Sequence, residues 1–212
     1  MAKQITIFGA TGFVGKKLIR LAIERGYKIK ALARSKNKLK EFESKIEIIE
    51  GDYFDLNKID EAIHGSSAIL STIGPPLKAK GIDESKYHDS LNHLINRLEK
   101  KGSTKFINIS GAAIKFPDEK LSFKRKALRL MLNLMAQQMI NVKDGELEIL
   151  TNSNIDFISI RPPMIKDIQG EYSVNDNSLV SMSVGVDQIC NFMLDNIDND
   201  QWRRKAPLIG NI

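Results

Sequence analysis

A glycine triplet near the start of the chain constrains the fold more than any other feature. Gly9, Gly12 and Gly15 follow a β-branched run at 4–8 and open a segment at 13–25 whose apolar residues have helical spacing. In such a strand–turn–helix unit the first glycine permits the tight turn, the second lets the backbone approach a pyrophosphate, and the third allows close helix–sheet packing. The helix start also offers unpaired N–H groups to phosphate. The predicted dinucleotide contacts here are Gly9, Thr11, Gly12, Phe13, Val14 and Gly15.

Strand-like and helix-like segments alternate along the rest of the chain. The strands are expected at 4–8, 28–33, 46–50, 68–73, 106–109 and 157–160, and the first helices at 13–25, 36–44, 57–63 and 84–101. This alternation predicts an α/β fold, a doubly wound parallel sheet of the Rossmann type with helices on both faces. No linker rich in Pro, Gly or Ser divides the 212 residues, so we expect a single domain. The less regular segment 162–212, with a helix at 186–197 and a strand at 206–209, is expected to contribute a small cap on the substrate side.

The end of the second strand distinguishes between the two nicotinamide cofactors. An acid about twenty residues beyond the glycine motif would bind a ribose 2′-hydroxyl, whereas an arginine accommodates a 2′-phosphate. The chain has Arg34, Ser35 and Lys36 at this place and no acid. A planar guanidinium, a hydroxyl and a second positive charge favour NADP(H) over NAD(H). The alternative is a solvated basic turn.

Two further strand ends carry candidate cofactor contacts. Asp52 and Tyr53 follow the third strand, where the carboxylate could accept a hydrogen bond from an adenine amino group or could cap the next helix or a local turn. Thr72, Ile73 and Gly74 end the fourth strand, where the backbone could approach the nicotinamide ribose.

The charge and the single cysteine narrow the classes of partner. The net charge is +6, but the basic clusters at 36–45, 78–80, 120–129 and 203–205 are scattered and have no interleaved aromatics. They favour solvated faces and attraction for an anionic cofactor over a nucleic-acid groove. Cys190 has a helix-like context and is expected to be buried, in a reducing compartment. No apolar run reaches the length of a signal peptide or a membrane span. We expect a cytoplasmic monomer or homodimer with a small-molecule acceptor and no nucleic-acid or membrane partner.

Several motifs together resemble the atypical short-chain dehydrogenases. They are the glycine motif, Arg34-Ser35, Gly51-Asp52, Ile109-Ser110-Gly111-Ala112 and Ile160-Arg161-Pro162-Pro163. Within that group the chain is similar to the NAD(P)H-binding, NmrA-like proteins and to biliverdin-IXβ/flavin reductases. The resemblance implies that NADP lies across the carboxyl ends of the strands. It also implies that Ser110 lies near the nicotinamide and that Pro162 and Pro163 pass under its ring.

The chain departs from the group in its acid–base residues. Typical members place a Tyr-x-x-x-Lys motif after the serine, but no tyrosine occurs between Ser110 and Arg161, and Tyr87 is followed four residues later by leucine. A proton would have to come from solvent, from Ser110, or from an ionisable residue of the middle segment, exemplified by Lys143, Asp144 and Glu148. Direct hydride transfer to a flavin or a conjugated tetrapyrrole would tolerate this, because such acceptors delocalise charge.

The segment 120–142 and the histidines need separate interpretation. Its apolar and basic residues are expected on different sides of one helix, which indicates either a core-facing amphipathic helix or a Met-rich wall or partner surface. His64, His88 and His93 have no cysteine or paired carboxylates at ligand spacing, so no metal is expected.

Two functions remain open. The leading hypothesis is an NADPH-dependent oxidoreductase acting on a flavin, quinone or similar acceptor, with Ser110 as a helper. The alternative is a non-enzymatic NmrA-like redox sensor that binds NADP and signals to a partner, which the missing tyrosine favours. An epimerase or dehydratase would need the absent Tyr/Lys pair.

Overall fold

In the computed structural model, which describes residues 2–77, 81–176 and 178–212, a six-stranded parallel sheet forms the centre of the molecule. Its strands are β1 (Gln4–Phe8), β2 (Lys28–Ala33), β3 (Glu47–Glu50), β4 (Ala68–Ser71), β5 (Lys105–Ile109) and β6 (Phe157–Ile160). Nearly every side chain of β1, β4 and β6 is buried. Burial on both faces is what a parallel sheet with helices above and below requires. The predicted Rossmann-type fold is confirmed.

Within the described ranges, five α-helices pack around this sheet. They are α1 (Phe13–Glu24), α2 (Leu56–Ile63), α3 (Glu84–Lys101), α4 (Phe123–Asn152) and α5 (Val186–Asp195). Side chains of α1 and α5 form one hydrophobic cluster with β1, while α2, α3 and the second half of α4 form another on the opposite face. The predicted helix at 36–44 is a 3-10 helix, Lys36–Phe42, whose Leu39 and Phe42 insert into the core. The basic cluster at 78–80 lies outside the described residues.

The strand order places the candidate site. The order of strands across the sheet is β3-β2-β1-β4-β5-β6. Successive strands are added outward from β1 in one direction up to β3 and in the opposite direction from β4 onward, so the order reverses between β1 and β4. In doubly wound folds, ligands bind in the crevice outside the carboxyl ends of the strands at this reversal. The glycine motif after β1 and the segment after β4 both meet that crevice.

The C-terminal segment, 162–212, consists of short paired strands and a helix. The strands β7 (Met164–Lys166) and β9 (Ser183–Gly185) pair in parallel, and β8 (Tyr172–Asn175) pairs antiparallel with β10 (Leu208–Asn211). Helix α5, in contrast, packs against α1 within the core. Cys190 on α5 is fully buried, and this burial raises the pKa of its thiol to about 12. Helix α5 therefore covers the sheet with its apolar residues, and the cap on the substrate side stays a prediction for the rest of 162–212.

Helix α4 also differs from expectation. It is kinked at Ala136, whose φ of −151° and ψ of 43° are not helical. Leu128, Leu132 and Met139 pack on the core as the amphipathic interpretation requires. Arg125 is completely buried, however, and Leu134 is exposed. The predicted separation of a basic outer side from an apolar inner side is wrong for the first half, because Arg125 has specific polar partners inside.

Candidate cofactor site

The glycine turn after β1 is closed by its own backbone. Gly9 has a φ of +74°, which favours glycine, and its carbonyl accepts a hydrogen bond of 3.0 Å from the Gly12 amide. A Cβ on Gly15 would lie 2.2 Å from the Gly9 oxygen, so only glycine lets α1 approach this closely. Two of the three glycines are therefore required by the turn itself, whether or not a ligand is bound.

Gly12 is different, because the turn does not require it. Its φ of −78° suits any residue, and a Cβ there would contact only the Gly9 oxygen, at 3.3 Å. Gly12 begins α1, and no described side chain caps the helix and no acid lies in its first turn. The amides at this helix start are thus left for an anion, and the open space before Gly12 lets a phosphate reach them.

The other predicted residues of the turn divide in the same way. Val14 packs on the core and Gly15 is buried, so both support the helix. Phe13 is exposed and Thr11 is half-buried. Thr72, from the end of β4, donates its hydroxyl at 3.1 Å to the carbonyls of both Phe8 and Gly9. It ties β4 to the turn and is a support of the site.

The basic end of β2 leaves its charged group available. Arg34 is exposed and forms no hydrogen bond or ion pair with another described residue. The Ser35 hydroxyl does not cap the 3-10 helix that follows it. The Lys36 amide, however, donates to a Glu50 carboxylate oxygen at 3.2 Å. Sequence reasoning missed Glu50, an acid that β3 brings beside the basic turn.

Asp52 and Tyr53 have structural partners. An Asp52 oxygen accepts the Phe54 amide at 3.1 Å, so this carboxylate closes a local turn, while Asp55 caps α2. The Tyr53 ring lies edge-on to Phe8, 5.3 Å between centroids. Burial raises the pKa of the Tyr53 phenol far above its ordinary value. Of the alternatives weighed for Asp52, the turn is the one that the hydrogen bonds bear out.

Tyr87, which lacks a lysine four residues later in the sequence, lies close to the site in the structure. The Tyr87 ring, from α3, lies edge-on to Phe54 at 4.9 Å between centroids. Burial and the nearby Glu146 carboxylate raise the pKa of the Tyr87 phenol. Such a phenol stays protonated at neutral pH and is a weak acid, so Tyr87 does not replace the missing Tyr/Lys pair.

Ser110 lies where β5 ends beside β6. Its amide donates to the Ile160 carbonyl at 2.7 Å, and the Ala112 amide donates to the Pro162 carbonyl at 2.8 Å. These bonds bring the two predicted nicotinamide segments, at 110 and at 162–163, next to each other. The Ser110 hydroxyl is buried and has no hydrogen-bond partner within the described residues. A ligand bound at this edge of the sheet would give the Ser110 hydroxyl a hydrogen-bond partner.

Lys143 supplies the ionisable group nearest to the end of β4. Its ammonium donates to the Ile73 carbonyl and to Glu146, both at 2.7 Å. The side chains of Lys143 and Glu146 are 9% and 10% exposed. A Cβ on Gly74 would lie 3.2 Å from the Lys143 side chain. Ile73 and Gly74 thus contact the buried Lys143 side chain. The residue four positions before Lys143 in sequence is Met139.

The other two predicted proton donors, Asp144 and Glu148, do not contact the end of β4 as Lys143 does. Asp144 pairs with Arg129 in a two-pronged ion pair, and Glu148 is exposed. Sequence reasoning named Lys143 among three candidates and missed Glu146. The i, i+3 spacing of Lys143 and Glu146 on one helix was the available signal.

A buried charge cluster holds the loop that follows Ser110. Arg125 donates to the carbonyls of Ala112 and Ile114, each at 2.7 Å, and pairs with Glu119. Arg161 also pairs with Glu119, at 2.6 Å. Burial opposes ionisation of Glu119, but the hydrogen bonds from both guanidinium groups keep the pKa of its carboxyl below the usual range. The cluster links β6, α4 and the 110–119 loop.

The histidines have structural contacts. His88 packs against Gly145 and lies 3.2 Å from the Val142 carbonyl, and His93 contacts Asp60 at 2.8 Å. No group of side chains suited to a metal ion occurs within the described residues. No helix within 2–77, 81–176 or 178–212 is long and apolar enough to cross a membrane.

Comparison with known proteins agrees with this geometry. The model of the NAD(P)H-binding family matches residues 9–200. YwnB of Bacillus subtilis strain 168 is 30% identical over 128 residues, and the match spans 60% of this chain but only 54% of YwnB.

Solved structures show the same fold. A short-chain dehydrogenase/reductase of Veillonella parvula in complex with NADP superposes with a TM-score of 0.79, at 16% identity, over 100% of this chain and 95% of that one. The anaerobilin reductase ChuY of Escherichia coli O157:H7 gives 0.77 at 18% identity, over 98% and 96% of the two chains. The oxidoreductase ylbE of Lactococcus lactis gives 0.76 at 21% identity, over 99% and 91%.

Proposed function

Because this chain belongs to the NAD(P)H-binding family, we propose that it is an NADPH-dependent oxidoreductase that passes hydride to a flavin, quinone or similar conjugated acceptor. One observation carries the proposal. The buried, unpartnered Ser110 hydroxyl follows β5, and the buried Lys143–Glu146 pair of α4 contacts Ile73, which follows the neighbouring strand β4 at the carboxyl edge of the sheet. Polar groups buried at a ligand crevice mark a reaction site more than a structural core.

The chain's residues would hold the cofactor as follows. The amides at the start of α1 bind the pyrophosphate, and Gly12 leaves the space for it. Arg34 and Lys36 face the 2′-phosphate, which is why NADPH is proposed over NADH. Glu50 is held by the Lys36 amide, so its negative charge is directed at the backbone of the basic turn. When bound, the dihydronicotinamide supplies the hydride.

The proton side of the reaction falls to Lys143. Its ammonium is fixed by the Ile73 carbonyl and Glu146, and a third donor N–H remains for a ligand. A positive charge in a buried site stabilises the negative charge that develops on a reduced acceptor, and it can also deliver a proton. Ser110 donates a hydrogen bond that orients the acceptor or the nicotinamide amide.

The redox sensor is the second candidate. Met139 stands where a tyrosine four residues before Lys143 would provide a standard acid, and a sensor needs no acid.

The acceptor's identity, the monomeric or homodimeric state and the cytoplasmic location stay predictions.

The test is NADPH oxidation by the purified protein with FMN, FAD, biliverdin and quinones. We expect turnover with at least one acceptor. Lys143→Met should reduce this turnover while NADPH affinity is retained, and Lys100→Met, on an exposed lysine at the end of α3, is the matched control. Tight NADPH binding without turnover on any acceptor would contradict the enzyme and favour the sensor.

A further inference from the structure

The first half of α4, residues 123–135, exposes an apolar stripe. Phe123 is 85% exposed, Leu134 83% and Leu130 64%. With Ala127 they are spaced by four, three and four residues, so they share one face of the helix. Met131 and Met135 extend the stripe along one side. No other stretch of this length in the described chain exposes as many large apolar side chains.

The stripe points away from the body of the protein. Arg125 and Leu128 lie on the opposite side of the helix, where Arg125 is fully buried and Leu128 packs on the core. The exposed residues therefore lie on the side of the helix that faces away from this core cluster. A contiguous exposed apolar surface of this kind marks an interaction site.

Charge identifies the kind of surface that fits. Lys124 and Lys126 flank the stripe on its two sides, Lys120 precedes it, and all three are exposed without an ion pair to a described residue. No acidic residue occurs from 120 to 143. The nearest carboxylate on each side in sequence, Glu119 and Asp144, is paired with arginine, whereas Asp118 is exposed.

We propose that this face of α4 docks the protein on an anionic lipid bilayer. Aromatic and aliphatic side chains between lysines are what helices that lie in the membrane interface present. Phe123, Leu130 and Leu134 would enter the boundary between headgroups and acyl chains, and the lysines would contact lipid phosphates. The helix is about 20 Å long over 123–135, enough to lie along the surface.

A second copy of the chain fits less well. Two such faces packed together would bring lysines of the same sign into contact, with no carboxylate from 120 to 143 to neutralise them. The sequence expectation of no membrane partner rested on the absence of a spanning segment, which does not bear on a helix that lies at the surface.

The experiment is sedimentation of the full chain with vesicles of phosphatidylcholine alone and of equal parts phosphatidylcholine and phosphatidylglycerol. We expect binding to the anionic vesicles and at least about tenfold weaker binding to the neutral ones. Phe123→Ser/Leu134→Ser and Lys124→Glu/Lys126→Glu should each weaken binding by at least about tenfold. All the changed side chains are exposed, so the variants should keep the fold, which retained NADPH affinity checks.

The matched controls are Ile212→Ser, an exposed apolar residue at the other end of the chain, and Lys28→Glu/Lys100→Glu. Both should bind as the wild type does. No binding to anionic vesicles, binding that the serine variant does not weaken, or a dimer that the serine variant dissociates would each overturn the proposal. The readout is independent of redox turnover, so its failure would leave the proposed enzyme activity standing.

Discussion

The two sides of the crevice hold their ligand groups by different means. On the nucleotide side, which comprises the glycine turn 9–15 and the basic turn 34–36, the groups are backbone amides and exposed side chains. On the acceptor side, which comprises 73–74, 110–119, 143–146 and 161–163, they are buried side chains fixed by other buried side chains. Backbone groups keep their positions through local conformation, whereas the buried charges depend on partners from three distant segments. Substitutions should therefore act locally on the nucleotide side and through the whole network on the acceptor side.

The largest effect is expected from Glu119→Gln on the acceptor side. It would leave Arg125 and Arg161 buried without their counter-charge, and breaking a buried pair costs about 3–5 kcal/mol. Urea unfolding measures this. Glu61→Gln, at the exposed pair with Lys58, is the control and should leave the free energy of unfolding nearly unchanged. Equal losses in the two variants would contradict the role of the cluster.

Glu119 also gives a pH dependence with a definite sign. The pKa of its carboxyl is lower in the folded than in the unfolded state, so its contribution to stability is present above roughly pH 4.3 and is lost as pH falls. The difference in unfolding free energy between wild type and Glu119→Gln should therefore shrink below about pH 4. A difference that grows with acidification would refute the ion pairs.

On the nucleotide side, Gly12→Val and Gly15→Ala should separate binding from folding. The Cβ of a valine at Gly12 would contact only the Gly9 oxygen, so stability should change little, but the side chain would occupy the proposed phosphate space. We expect NADPH affinity to fall about hundredfold, or roughly 3 kcal/mol. Alanine at Gly15 meets backbone at 2.2 Å and should cost about 1–3 kcal/mol of stability. Calorimetric titration measures the NADPH affinity of both variants, and thermal unfolding measures their stability. Normal NADPH binding by Gly12→Val would show that the phosphate does not lie at Gly12.

Arg34→Ala should change cofactor preference with a smaller effect. Loss of hydrogen bonds to a charged phosphate costs about 1.5–3 kcal/mol, so NADPH should bind roughly ten- to hundredfold more weakly. NADH affinity should stay within about twofold, because NADH has no 2′-phosphate. Lys28→Ala, exposed at the start of β2, is the control. Equal wild-type affinities for NADPH and NADH would exclude the preference.

The smallest effect is expected from Ser110→Ala. One hydrogen bond contributes about 0.5–1.5 kcal/mol, so hydride transfer should slow by up to about tenfold. Steady-state rates at saturating NADPH measure this. A loss of several orders of magnitude with cofactor binding unchanged would make Ser110 essential to the chemistry.

The same division explains what the sequence could predict. Gly9 and Gly15 have conformational and steric requirements that depend on neighbours in sequence, so their roles in the turn could be predicted. Glu50 and Glu119 act through partners that only the folded chain brings near. The burial of Arg125 could not be predicted from helical periodicity, because its partners, the carbonyls of Ala112 and Ile114, lie outside the helix. The sequence left three roles open for Asp52, namely an adenine contact, a helix cap and a local turn, because the position of the Phe54 amide depends on the folded backbone.

The central claim is that the acceptor side receives hydride directly from the nicotinamide without a tyrosine acid. It is tested by single turnover with NADPH that carries deuterium at the transferred position of C4, using the acceptor with the highest activity. The account predicts that deuteration slows NADPH oxidation, and that Lys143→Met lowers the rate further while the deuterium still passes from C4. NADPH that stays reduced on the protein with every acceptor, or oxidation at the same rate for both isotopes in single turnover, would contradict it.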